Sequence, residues 1–244
     1  MKKILIATFV LSCSVVFAQQ TVVVTRSTMT GAEFARIAPK ITDKKIYDQA
    51  GNVVDSARAR QMIKTFEYEM WQVKPAGQTE YKHVIIRVNR AAEDKRDAGD
   101  KQFFWPKSNR LAEGTTLDLS ALAKHIDVGK LGGKAVVLLF YIGASGYKNM
   151  YDGINDAVDN SIDGHKFEVI AITHLDYASA KTAQKAVPIL NAHHVVDAQD
   201  LTDFYETERH AVIVITNTQH QIIYAAKDGP VMVPRTLNKL LKTL

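Results

Sequence analysis

A hydroxyl and an amine stand three residues apart in the segment Gly143-Ala144-Ser145-Gly146-Tyr147-Lys148, carried by Ser145 and Lys148. Such a pair is the minimum of a serine nucleophile with a lysine beside it, because a neighbouring cation lowers the pKa of the hydroxyl. Acyl transfer also needs donors for a developing oxyanion and a third group that orients the base, and the flanking sequence offers neither. His193, His194 and Asp197 form the other compact set, with metal-ligand side chains at i, i+1 and i+4. That is not a recurrent zinc spacing and no fourth ligand accompanies it, so these residues read as a polar loop before a strand, with a metal site as the alternative. His174 and Asp176 lie at another strand end. Asp152, Asp156, Asp159 and Asp163 repeat at roughly helical spacing, as on a solvated helix face, without the glycine-hinged loop that calcium requires. Gly51, Gly77, Gly143 and Gly146 are turn glycines with no phosphate-binding pattern around them. No cofactor is assigned. Thiol chemistry rests on a single residue, since Cys13 is the only cysteine in 244 residues.

Cys13 lies in a leader. Lys2 and Lys3 precede an apolar run over residues 4–17, and Val16-Phe17-Ala18 places small residues where a signal peptidase cuts, before Gln19. A nearly uninterrupted apolar run of fourteen residues falls short of the roughly 20 that span a bilayer. Residues 1–18 are therefore expected to be a signal peptide, and the protein to be exported, periplasmic or secreted. Val10-Leu11-Ser12-Cys13 also reads as a lipobox with Cys13 lipidated; the apolar Val15-Val16-Phe17 after it argues for the first reading. Removing the leader takes away two lysines and no acid, lowering the formal charge from +5 to +3. Acids and bases are interspersed, with no basic stripe interleaved with aromatics, so nucleic acid is not an expected partner. No later segment is long and apolar enough to span a membrane. An exported chain of this length without disulfides must be held by its apolar core alone.

The elements that position these residues fall into two parts. Residues 19–110 read as a small α+β unit. Thr30 and Glu33 are spaced as a capping box before a short helix stopped by Pro39. Gln49-Ala50-Gly51-Asn52 turns between two short strands, and Ser56 can cap a helix through Thr65. Residues 66–70 alternate with strand period, and the turn at Pro75-Ala76-Gly77-Gln78 leads into a second strand over 81–88, giving a hairpin. Residues 90–101, mostly charged and small, read as a solvated helix or loop. Phe103-Phe104-Trp105-Pro106 then reads as a hydrophobic plug or, alternatively, a partner-binding patch.

Residues 111–244 alternate between strand and helix. The continuous apolar run over 135–141 suits a strand covered on both faces. Met150, Ile154 and Val158 mark the buried stripe of a helix, and residues 167–173 form the next central strand. Asp176 or Ser179 starts another helix, limited by Pro188. A short strand at Val195-Val196, a short helix over 201–205, a strand over 211–215, its hairpin partner over 221–225 and an amphipathic helix over 235–244 complete a mixed α/β sheet.

The stretch Leu131-Gly132-Gly133-Lys134-Ala135-Val136-Val137-Leu138-Leu139-Phe140-Tyr141 resembles the L-x-G-K-x-V-V-L-x-F-W entry of the TlpA-like thioredoxin-fold family, exported thiol–disulfide oxidoreductases related to the redoxins. Ile154-Asn155 resembles the family's L-N on the following helix, and Val195-Val196-Asp197 its strand before the Y-x-V-x-x-x-P segment. The resemblance covers about the last 125 residues. It implies an α/β chain with a thioredoxin-like domain over 111–244 behind the small α+β N-terminal unit. It also implies where the redox site would lie. Counting from Gly133-Lys134, the two cysteines of C-x-x-C fall on Ser145 and Lys148; counting back from Ile154-Asn155, on Ala144 and Tyr147. Neither register holds a thiol. The family's cis-proline falls on Ala211, where a trans bond is expected, with Tyr147 or His210 filling the space of the substrate groove.

Disulfide exchange needs an attacking and a resolving thiolate. The reading is therefore of a redox-inactive thioredoxin-fold protein, a non-catalytic binding or chaperone-like module with a protein or peptide partner in the cell envelope. Two alternatives stay open: an accessory component of a thiol–disulfide redox pathway, and an enzyme of non-thiol chemistry on the same scaffold.

Overall fold

The computed structural model describes residues 41, 43–77, 79–101, 103–143, 147–161, 166–207, 210–228 and 232–244. The leader with Cys13, the capping box at Thr30 and Glu33, and Pro39 lie outside the described residues, as do Ala144, Ser145, Gly146 and Asp163.

Two sheets form. The first has the order β2-β1-β4-β3, from β1 (Ile46–Tyr47), β2 (Val53–Val54), β3 (Tyr68–Val73) and β4 (Lys82–Arg87). The expected hairpin is β3–β4, antiparallel from Tyr68 opposite Arg87 to Val73 opposite Lys82. The strand starts two residues later than its alternating pattern suggested, because Phe66 takes a positive φ of 59°. Its N–H closes the preceding helix on the Ile63 carbonyl. That helix, α1 (Ser56–Lys64), is capped by Asp55 and not by Ser56: the Asp55 carboxylate accepts from the N–H groups of Ala57 and Arg58 at 2.8 and 3.2 Å. Both residues are good caps, and the one whose side chain reaches the free N–H groups of the first turn wins. The charged stretch becomes α2 (Arg90–Lys101).

The second sheet has the order β7-β6-β5-β8-β9, from β5 (Ala135–Phe140), β6 (Phe167–Ile172), β7 (His193–Val195), β8 (Val212–Thr216) and β9 (Ile222–Lys227). Strands β5, β6 and β7 are parallel; β8 runs antiparallel to β5, and β9 to β8. Helix α3 (Lys148–Asp159) makes the crossover from β5 to β6, α4 (Tyr177–Ala186) leads on to β7, α5 (Gln199–Phe204) precedes β8, and α6 (Met232–Leu241) follows β9. A βαβ unit with an antiparallel hairpin on its other edge and a closing helix is the thioredoxin-like arrangement. The three strands expected at the centre share this one sheet.

Strand periodicity divides the core in two. Ala135, Val137, Leu139 and Tyr141 face a cluster that includes Met150, Ile154 and Val158 of α3 and Leu237 of α6. Val136, Leu138 and Phe140 face the other way, onto Leu111, Leu122, Leu201 and Tyr205. Every residue of β5 is buried, as its unbroken apolar run requires. Helices α3 and α6 approach closely at Gly153, where a Cβ would lie 2.7 Å from that of Pro234.

The outer edge of β9 is covered: Ile222 N–H donates to the Thr115 carbonyl at 2.8 Å, Lys227 N–H to the Phe104 carbonyl at 2.6 Å, and Ala225 N–H to a Glu113 carboxylate oxygen at 3.4 Å. These bonds satisfy groups that an open edge would present to another chain. They also split the aromatic cluster. Phe104 packs on the core below β9, while Phe103 is left exposed. Residues Ile41–Leu244 make up one compact unit. Among the described residues no helix is long and apolar enough to cross a membrane.

Candidate functional site

Antiparallel pairing of β8 with β5 brings the start of one strand to the end of the other: Phe140 stands opposite Val212, and Val212 opposite Lys227. Three chain segments converge there. Tyr147 precedes α3, His210 and Ala211 precede β8, and Asp228 follows β9 with a positive φ of 53°. An aspartate tolerates that left-handed turn better than most residues, and here the turn directs its carboxylate inward.

Asp228 is the hub. Its Oδ1 accepts from the Tyr147 hydroxyl at 2.8 Å and from the Ala211 N–H at 3.3 Å, while Oδ2 lies 2.8 Å from His210 Nδ1. The Asp228 N–H in turn donates to the Ala211 carbonyl at 2.8 Å. A single carboxylate thus locks the backbone before β8 to the loop after β9 and to the residue that opens α3. The peptide before Ala211 is trans. Burial and the hydrogen bond to Asp228 push the Tyr147 phenol up to about 12, so its proton stays on the donor side of that bond. The Tyr147 ring lies 6.2 Å from that of Tyr151, whose hydroxyl burial pushes still higher.

The positions singled out by sequence separate here. Tyr147 and Ala211 come together at Asp228. Lys148 turns away to its own helix, its Nζ 2.6 Å from Asp152 Oδ2 one turn on, so its charge is engaged with a carboxylate. His193, His194 and Asp197 do not converge as a cluster. Both ring nitrogens of His194 are engaged: Nδ1 accepts from Gln184 Nε2 at 2.7 Å and Nε2 reaches the Ile189 carbonyl at 3.1 Å. Burial holds the His194 pKa below its ordinary value, which fits a neutral ring in those two roles. The same Gln184 amide donates to the Tyr141 hydroxyl at 2.9 Å, tying β7 and α4 to the end of β5. Asp197 has a positive φ of 54° and its N–H donates to the Leu175 carbonyl, the geometry of a turn. Among the described residues no three His, Cys, Asp or Glu side chains are grouped to hold a metal ion.

Two residues matter more than sequence suggested. Asp228 sits in a loop with no motif, and its partners lie 17 and 81 residues away in sequence. Asn155, quoted above only for its likeness to a family position, is buried and bridges two backbone groups of the loop after α4. Its Nδ2 donates to the Pro188 carbonyl at 2.9 Å and its Oδ1 accepts from the Leu190 N–H at 2.8 Å. A polar residue on the apolar stripe of α3 was the available signal.

Neither a family model nor a curated protein matches the chain. Solved structures do. PrxQ of Xylella fastidiosa is 14% identical with a TM-score of 0.42, over 55% of this chain and 94% of that one. A secreted disulfide oxidoreductase of Mycobacterium tuberculosis is 15% identical with a TM-score of 0.41, over 49% and 88%. The thioredoxin domain of a thiol–disulfide oxidoreductase from Bacteroides vulgatus is 17% identical with a TM-score of 0.39, over 54% and 99%. These neighbours are thioredoxin-fold proteins.

Proposed function

We propose that this is an exported, redox-inactive thioredoxin-fold protein, a non-catalytic binding module whose partner is a protein or peptide of the cell envelope. One observation carries the reading. Where a thioredoxin-fold oxidoreductase would hold two thiols beside a proline-shaped groove, this chain has no cysteine, and Asp228 draws Tyr147, His210 and Ala211 together across that place. Disulfide exchange proceeds through a mixed disulfide, which a hydroxyl, an amine or a phenol cannot form. The cluster supports a structural rather than a chemical role. The phenol is held protonated, Lys148 is engaged with Asp152, and each carboxylate oxygen of Asp228 already has a partner.

Insulin reduction and alkylation test the reading directly. Protein purified from the exported fraction is expected to take up no alkylating label and to leave insulin disulfides intact. Reductase activity from thiol-free protein would overturn it. Crosslinking in the intact cell envelope, followed by identification of the captured polypeptide, addresses the partner. Recurrent capture of a cysteine-bearing oxidoreductase, and of nothing else, would favour the accessory redox role.

A further inference from the structure

A second place in the fold combines a cavity with buried polar groups that lack partners among the described residues. Helix α2, strand β9 and helix α6 border an open cavity of about 530 Å³, within the range of small-ligand sites. Ile223 and Leu240 form an apolar part of its wall and pack onto the core beneath. Three buried side-chain oxygens line it without a hydrogen bond, and one of them, Glu93 Oε1, is ion-paired with the Arg235 guanidinium 2.9 Å away. The other two are Asn238 Oδ1, which has no partner among the described residues, and the Tyr224 hydroxyl, which has only the Thr236 hydroxyl beside it as a donor; each residue is only 5% exposed. Such orphans are few in native proteins, because each costs the desolvation of a group that bonded to water in the unfolded chain.

The charges around them narrow the ligand. The acids of the cavity are consumed internally: Glu93 by Arg90 and Arg235, Asp97 by Arg235, and Asp94 by Lys239. Lys101 pairs with Glu113. Lys242 lines the cavity, is exposed, and has no ion pair among the described residues. A ligand carboxylate therefore finds a cation at the rim, whereas a ligand cation finds every acid already paired. Deeper in, Asn238 Oδ1 can only accept and the Tyr224 hydroxyl is free to donate. An amide group offers a donor and an acceptor side by side.

We infer that this cavity binds a carboxylate bearing an adjacent amide and an apolar side chain, the chemistry shared by an N-acylated amino acid and the C-terminal residue of a peptide. The amide N–H meets Asn238, its carbonyl meets Tyr224, the carboxylate meets Lys242, and the side chain lies on Ile223 and Leu240. The cavity is formed by elements other than those that carry the Asp228 cluster, apart from the root of β9, so the inference does not depend on the redox reading.

Titration of the full exported chain with N-acetyl-leucine, followed by amide chemical shifts, tests it. Shifts are expected at Tyr224, Asn238 and Leu240. N-acetyl-leucinamide, which lacks the carboxylate, should bind about tenfold more weakly, the effect of one lost charge-assisted bond. A short peptide ending in free leucine should bind at least as well if chain ends are the ligand, and worse if the site takes free acylamino acids. Asn238→Leu removes the orphan acceptor and should weaken binding about tenfold while the protein melts no lower than the parent. The inference is overturned if saturating N-acetyl-leucine moves no resonance in the cavity. Equally, affinity unchanged in Asn238→Leu, or shifts confined to exposed lysines, would reduce it to surface charge adsorption.

Discussion

At the scale of single residues, Asp228 organises the site by hydrogen-bond supply. Asp228→Ala would leave the Tyr147 hydroxyl and the Ala211 N–H without an acceptor, and the expected loss is about 1–3 kcal/mol in denaturant unfolding. The Tyr147 phenol gives the same contact a pH signature. An unfolded tyrosine ionises near pH 10, whereas Tyr147 holds its proton to about 12, so its contribution to stability is complete below about pH 10 and lost as pH rises towards 12. In Asp228→Asn, which keeps an acceptor and removes the charge, the phenolate absorbance of Tyr147 should appear at lower pH; an unchanged titration would refute the coupling. His194 works in the opposite direction. Its pKa is depressed by burial, so the stability it confers is present above the unfolded value of about 6.5 and is lost as pH falls below it. A His194→Gln variant should unfold with a flatter dependence below about pH 6.5, and a slope identical to the parent's would exclude His194 as its source.

Among the elements, the legible parts were those whose burial repeats with a period. Residues 135–140 read as a covered strand because every side chain had to be apolar, and Met150, Ile154 and Val158 marked the inner face of α3, which they share with Tyr151 and Ala157. Less legible was whatever depended on a contact between distant segments. The cap of α1 fell on Asp55, one residue before the Ser56 expected, since adjacent side chains compete for the same N–H groups. Helix α2 read as solvated from its charges, yet Glu93 is buried because a cation arrives from α6, over a hundred residues further on. The site residues Tyr147 and Ala211 could be placed by counting, but Asp228, which joins them, carries no local signal. Gly153 is a similar case. An alanine normally stabilises a helix interior by about 1 kcal/mol relative to glycine. Here the added methyl would sit 2.7–2.8 Å from Pro234, so Gly153→Ala is expected to lower the melting temperature instead of raising it. Pro234→Ala, which trims the ring carbon at 2.8 Å, should recover part of the loss, and a stabilised Gly153→Ala would show that α3 and α6 have slack between them.

Over the whole molecule, the question is what makes two sheets behave as one unit. Polar bonds run between them on two sides. Lys64 of α1 pairs with Asp156 of α3 at 2.8 Å, but the lysine is half exposed, and such pairs contribute little. The contact between α2 and α6 is different in kind. The Arg235 guanidinium, only 11% exposed, donates to both carboxylate oxygens of Asp97 and is ion-paired with Glu93, its Nε 2.9 Å from Oε1. Removing one partner of a buried pair strands the other in a medium that solvates it poorly, typically at a cost of about 3–5 kcal/mol. Arg90 still holds the second oxygen of Glu93, at 2.9 Å, which places Arg235→Ala near the lower end of that range. Lysine would not substitute, since a single ammonium cannot reach two carboxylates in the planar arrangement that a guanidinium provides. The tryptophans allow the consequence to be observed in the relevant part of the chain, because Trp71 lies on β3 of the first sheet and Trp105 between α2 and the second. In the parent protein, tryptophan fluorescence and far-ultraviolet circular dichroism should report one coincident unfolding transition. In Arg235→Ala the fluorescence midpoint should fall first and the two curves separate, with the second sheet unfolding later on its own dry core. Coincident curves at an unchanged midpoint would mean that apolar contact alone joins the halves and that the Arg235 pairs merely break even against their desolvation.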